Sequence, residues 1–175
     1  LFVIWRGENE QKKYYTTMKI VAIDQSTSTS AFSVFDNGEF VRCGLIKSNP
    51  KEKNTIDRMI YMHNIIRELI ETENPDWVAI EGVQMQANSR VYSTLSQLQG
   101  MLFTLFYNLN VAFSVVAVPE WKAAFGIKGV KGRPAQKALA IKIVKDRYGI
   151  DVTEDEAEAI GIATWCLQNI KVKEG

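Results

Sequence analysis

The chain is 175 residues long, with 46% hydrophobic and 23% charged residues and a formal net charge of +1. That is room for one domain with a single core and too little for two full-sized ones. The composition is ordinary for a globular protein rather than a disordered one, and no apolar run is long enough to span a bilayer. Two cysteines and one histidine, with no Cys-x-x-Cys or Cys/His cluster, argue against a zinc site. The simplest setting is a reducing compartment, the cytoplasm, with no membrane contact.

Leu1–Ile4 is apolar, but Trp5-Arg6-Gly7-Glu8 follows at once and breaks any signal-peptide core. Met18 is the first plausible initiator. Residues 1–17 are read as an upstream extension, non-native or disordered, outside the fold; a native edge segment packed on the core is the alternative. Residues 18–172 are then the domain. Met18–Asp24 is a short apolar run ending in an acid and reads as a buried strand. Ser30–Phe35 is a second strand, and Asp36-Asn37-Gly38 is a strong hairpin signal, because Asn-Gly accepts positive φ at both central positions. Glu39–Lys47 is the third strand.

Asn54–Glu73 reads as an amphipathic helix, with Ile56, Met59, Ile60, Ile66, Leu69 and Ile70 at helical spacing. Pro75 follows where the helix should have stopped. Trp77–Ile80 is a fourth strand, running into Glu81-Gly82. Ser89–Asn108 is a second helix with Val91, Leu95, Leu98, Leu102 and Leu105 on one stripe. Ala112–Val118 is a fifth strand closed by Pro119. Residues 126–134 form a Gly-rich basic loop, and Ala135–Tyr148 and Glu154–Ile170 are the last two helices. The order βββ-α-β-α-β-α-α predicts a mixed five-stranded sheet, three antiparallel strands and then parallel ones, flanked by helices.

Acids stand where this pattern expects a core to continue: Asp24 after the first strand, Glu81 after the fourth, and Asp155 and Glu158, three apart on one face, at the start of the final helix. Singly, an acid at a strand end marks the arrival of the chain at water, and acids in a first helical turn answer the macrodipole. Together they differ: clustered, partly buried carboxylates repel and shift toward protonation unless a cation compensates. Oxygen-only ligation suits Mg²⁺ or Mn²⁺. Two such ions activate a water and stabilise the leaving oxygen in phosphodiester hydrolysis, with no nucleophilic side chain needed. The lone His63 lies near the apolar stripe of its helix and reads as a core or boundary residue.

Three motifs carry a resemblance. IVAIDQSTSTSAFSVFD, WVAIEGV and the Thr153–Ala163 segment TEDEAEAIGIA occur in the order and spacing of the RuvC-type Holliday junction resolvases, a branch of the ribonuclease H-like superfamily, and the chain resembles a phage-like member from Met18 to Cys166. The resemblance implies a ribonuclease H-like fold and a crossover junction endodeoxyribonuclease. It implies two metal ions held by Asp24, Glu81, Asp155 and Glu158, and lysines near the scissile phosphate at Lys122 and Lys137. Lys137 is expected to stabilise developing charge. The chain departs from the family at Asp24-Gln25-Ser26, where the turn is commonly Asp-Pro-Gly, and at Glu158, commonly Asp. Glu154 or Glu156 replaces Glu158 if the helix phase differs.

Lys122–Arg147 holds eight basic residues and a single acid, Asp146. Gly126, Gly129 and Gly132 space Lys128, Lys131 and Arg133 along the loop so that its backbone can follow a phosphate strand; such contacts give affinity rather than sequence reading. Gln84, Gln86, Asn88 and Arg90 leave the Glu81 strand and are candidates to touch DNA near the cut, or an ordinary solvated loop. The second helix also carries Met101, Phe103, Phe106 and Tyr107 off its core stripe. Either it is fully buried, or one face meets a second subunit, and a C₂ homodimer suits a two-fold symmetric four-way junction. Rival readings are an actin-like or sugar-kinase-type ATPase fragment, suggested by the Ser/Thr run after Asp24, a non-catalytic nucleic-acid-binding module, and a ribonuclease H-like enzyme acting on other branched DNA or RNA–DNA hybrids.

Overall fold

The computed structural model describes residues 4–5, 18–49, 51, 54–85 and 88–170. The chain runs β1 (Ile4–Trp5), β2 (Lys19–Asp24), β3 (Thr29–Asp36), β4 (Glu39–Lys47), α1 (Thr55–Glu73), β5 (Trp77–Glu81), α2 (Ser89–Asn108), β6 (Ala112–Val116), α3 (Val118–Phe125), α4 (Arg133–Tyr148) and α5 (Glu154–Asn169). The strands form one sheet in the order β1-β6-β5-β2-β3-β4. β2, β3 and β4 are antiparallel neighbours, and β5 and β6 lie parallel to β2. The expected five-stranded mixed sheet is therefore present. To it Ile4–Trp5, within the segment read as outside the fold, adds an antiparallel edge opposite Ser114 and Phe113; the rest of residues 1–17 lie outside the described residues, as do 171 and 172.

Local chemistry sets the connections. The β3–β4 hairpin turns at Asn37 (φ 54°) and Gly38 (φ 83°), both in the left-handed region that the Asn-Gly pair tolerates. α1 starts under an Asn54 cap, its side chain accepting from the Ile56 N–H, and ends at left-handed Asn74 just before Pro75. The expected strand to Val118 stops at Val116. Pro119 does not close a strand; it opens α3, in the first helical turn, where a missing N–H costs nothing. Pro134 does the same for α4, so that helix takes Arg133 and Pro134 from the predicted loop.

Alternation along the strands divides two cores. Val21 and Ile23 of β2 and Val78 and Ile80 of β5 face α1 and α2, with Met62, Ile66, Leu98, Leu102 and Leu105. Ile20, Ala22, Trp77 and Ala79 face the other way, with Trp121, Phe125, Val144, Ile160 and Ala163 from α3, α4 and α5. On that second face α5 is buried from Ala159 to Cys166, and Ser33 Oγ donates to the Ala159 carbonyl at 2.9 Å. Small residues (Ala22, Ala79 and Ser33 on the strands, Ala159 and Ala163 on α5) line this face between helix and sheet.

The helical stripes shift slightly from expectation. Ile56 (58% exposed) and Ile60 (46%) point to solvent, and Met62 takes the core position. On α2, Phe106 is core, Met101 and Phe103 pack against it, and the exposed apolar residues are Val91, Tyr92 and Tyr107. Among the described residues no helix is long and apolar enough to cross a membrane.

Candidate metal centre

β2 and β5 are parallel neighbours, so their C-terminal ends, Asp24 and Glu81, reach the same edge of the sheet. Parity fixes their direction: Asp24 continues the Ile20/Ala22 side and Glu81 the Trp77/Ala79 side, so both carboxylates turn toward α5. There they meet Glu158, and carboxylate oxygens of Asp24, Glu81 and Glu158 all lie within 4.8 Å of one another. Asp155, one turn earlier on α5, stands outside that trio and acts on it through its charge.

The neighbouring acids of α5 have other occupations. Glu156 closes a capping box, accepting from the Thr153 N–H at 2.8 Å while Thr153 Oγ1 accepts from the Glu156 N–H. Glu154 pairs with Lys137. Of the alternatives open in the sequence, the helix phase brings Glu158 to the strand ends.

Burial and mutual charge set the trio apart from ordinary surface acids. Burial, then the charges of Glu81, Glu158 and Asp155, push the Asp24 carboxyl well above its ordinary range against an opposing pull from Lys137. Burial and Glu158 push Glu81 up to about 7, although Trp121, Lys122 and Arg133 favour its ionised form. Glu158 is also raised, chiefly by burial. Oxygen-only donors, close enough to repel, suit a hard divalent cation such as Mg²⁺ or Mn²⁺ and offer nothing to a soft metal.

Lys122, Arg133 and Lys137 surround the trio closely enough for their charges to act on it. Lys122 Nζ donates to Gln136 Oε1 at 2.9 Å and sits 5.5 Å from the Trp121 ring centroid. Lys128 and Lys131 are exposed on the loop between α3 and α4, whose Gly126, Gly129 and Gly132 all hold φ near +90° (91°, 86° and 86°), a backbone closed to most side chains. Gln84 is exposed in the segment after β5, and Gln86 lies outside the described residues. Arg90 lines a groove of about 490 Å³ between the N-termini of α1 and α2, with Ser93, Thr94, Gln97 and Thr55. His63 is half-buried beside Asn64 Oδ1 at 3.2 Å, remote in role from the acids.

Three residues at the centre escaped the reading of the sequence. Trp121 Nε1 donates to Glu81 Oε2 at 2.9 Å. Gln25 and Gln99 both donate from Nε2 to the Glu81 carbonyl, at 2.7 and 2.8 Å. Trp121 reads in sequence as a core aromatic beside Pro119, and Gln99 as a polar residue on a helix; only the turn at Gln25, next to Asp24, carried a signal.

A family model described as Lactococcus phage M3 protein matches residues 17–168. The crossover junction endodeoxyribonuclease RuvC of Chlorobium phaeovibrioides is 26% identical over 151 residues, covering 83% of this chain and 79% of that protein. T. thermophilus RuvC, solved in complex with a Holliday junction substrate, superposes with a TM-score of 0.68 at 15% identity over 85% of this chain and 92% of its own. The Fowlpox virus resolvase, solved with Holliday junction DNA, gives 0.56 at 16% identity over 88% and 100%. These structural likenesses establish the ribonuclease H-like fold expected from the motifs.

Proposed function

The chain belongs to the family described as Lactococcus phage M3 protein, and from the acids gathered at its strand ends we propose that it is a metal-dependent endodeoxyribonuclease that resolves four-way DNA junctions. The observation that carries this reading is the approach of Asp24, Glu81 and Glu158 within 4.8 Å, beside Lys122, Arg133 and Lys137. The similarity to a protein named crossover junction endodeoxyribonuclease RuvC, over 83% of this chain and 79% of that protein, supports the choice of substrate.

In this reading Asp24, Glu81 and Glu158, with Asp155 beside them, would hold two ions, Mg²⁺ or Mn²⁺. When bound, the ions supply a water of lowered pKa and a counter-charge for the leaving oxygen. The protein does the rest. α5 and Trp121 half-bury the carboxylates and hold them in place, so their interaction with a cation is stronger than at an open surface. Lys137, steadied by Glu154, stands ready to stabilise charge developing on the phosphate. Lys122 and Arg133 bind the scissile strand, while Lys128 and Lys131 follow its backbone beyond the cut, and Gln84 and Arg90 meet the DNA on the opposite side of the strand ends. α2, on which Val91, Tyr92 and Tyr107 are exposed, supplies surface for a homodimer whose two centres address the two symmetric strands.

The test is cleavage of labelled four-way junctions, flaps, RNA–DNA hybrids and linear duplexes in Mg²⁺ or Mn²⁺. Paired, symmetric nicks in the junction are expected. Cleavage of hybrids alone would move the protein to a different ribonuclease H-like activity, and no cleavage of any substrate would leave a binding module.

A further inference from the structure

The main-chain carbonyl of Glu81 is held by two side-chain amides from different parts of the fold. Gln25 follows Asp24 directly and reaches across from the end of β2; Gln99 comes from the middle of α2. The last ladder pair between β2 and β5 is Ile23 with Ile80, so the two acids lie just past the point where the sheet itself holds the strands together. On its other side the chain after Glu81 is tied to β6, Gly82 N–H donating to the Val116 carbonyl at 2.8 Å. The carbonyl has two lone pairs, and the two amides occupy both.

Gln25 is 7% exposed, and its Oε1 is buried without a hydrogen-bond partner. Turning the amide over would set Oε1 against the Glu81 oxygen, acceptor against acceptor. The side chain is therefore oriented by its donation to the Glu81 carbonyl, its one hydrogen bond among the described residues.

We infer that Gln25 and Gln99 are positioning residues that clamp the Glu81 main chain, holding its carboxylate in register with Asp24 and linking α2 to the metal centre. The inference rests on the metal-dependent reading above. Carboxylates that repel one another spread when their supports give way, and a looser set binds a cation less well.

The experiment uses the full chain and two apolar variants, Gln25→Met and Gln99→Met, with Thr104→Ala, exposed on α2 and remote from the centre, as control. Gln25→Met also removes the orphaned Oε1, so it is the variant expected to stay folded. Mn²⁺ binding is measured by calorimetry, and the Mg²⁺ dependence of junction cleavage is measured in parallel. Each Gln variant is expected to weaken Mn²⁺ binding about ten-fold and to raise the Mg²⁺ needed for half-maximal rate in proportion, with kcat at saturating Mg²⁺ less affected and melting temperature near that of wild type. A folded Gln25→Met that binds Mn²⁺ like wild type overturns the clamp. A wild type that binds Mn²⁺ but cuts no DNA sinks the nuclease and leaves the clamp to stand or fall on Mn²⁺ binding. A wild type that binds no Mn²⁺ overturns both.

Discussion

Glu81 concentrates the physics of the site. Its carboxyl is pushed from an ordinary 4.5 up to about 7 by burial and by Glu158. Between those values the folded chain holds a proton that the unfolded chain has lost. The stability this supplies is full below 4.5 and lost as pH rises through about 7. Melting temperature in EDTA is therefore expected to fall from pH 4.5 to pH 8, and Mg²⁺ to restore more of it at the alkaline end, where it no longer competes with the proton. Replacing Glu81 with Gln removes the repulsion along with the ligand. That variant should cleave at least about 100-fold more slowly yet be more stable than wild type in EDTA at pH 8, on the order of 1–3 kcal/mol, as read by urea melts.

At the level of elements, α5 and α3 shape the centre together. A Cβ on Gly161 would lie 2.8 Å from Trp121 Cε3 and 3.2 Å from Phe125 Cδ1. The helix can approach α3 only because nothing is there. Gly161→Ala is expected to cost about 1–3 kcal/mol through overpacking and to slow cleavage by displacing the ring that donates to Glu81; a variant with native stability and full activity would contradict this packing. Trp121→Phe separates the two effects. It keeps most of the packing and removes the N–H that favours ionised Glu81, so the acid limb of the pH–rate profile should move to higher pH.

For the whole molecule, charge is distributed rather than abundant. A net +1 hides Lys122, Arg133 and Lys137, whose charges reach the acids, and Lys128 and Lys131, exposed on the loop between α3 and α4. If Lys128 and Lys131 touch only phosphates, replacing both with Ala weakens junction binding at every sequence and lowers the slope of log K against log salt by about 1 per lysine. Binding titrations at several salt concentrations read this directly. Tyr92→Asp with Tyr107→Asp should shift sedimentation from dimer to monomer; a wild type that sediments as a monomer at every concentration would remove the dimer from the scheme.

The amino-acid sequence by itself determined what depends on neighbours along the chain. Short apolar runs placed the strands, Asn37-Gly38 turned the hairpin, and acids at the ends of two such runs marked Asp24 and Glu81, because run length and turn chemistry are local. The same locality misled where proline was concerned: Pro119 breaks a strand and starts a helix with equal ease, and α3 went unseen. The resemblance named Asp155 and Glu158 and left Glu154 or Glu156 as replacements for Glu158; tertiary structure brought Glu158 to the strand ends and left Asp155 outside the trio. Glu154, Asp155, Glu156 and Glu158 all crowd the first turns of one helix, and its rotation against β2 and β5 separates them. Tertiary structure also supplied the partners of Glu81. Trp121, Gln25 and Gln99 stand 40, 56 and 18 residues from it, and a hydrogen bond across such a distance leaves no periodic trace in the chain that makes it.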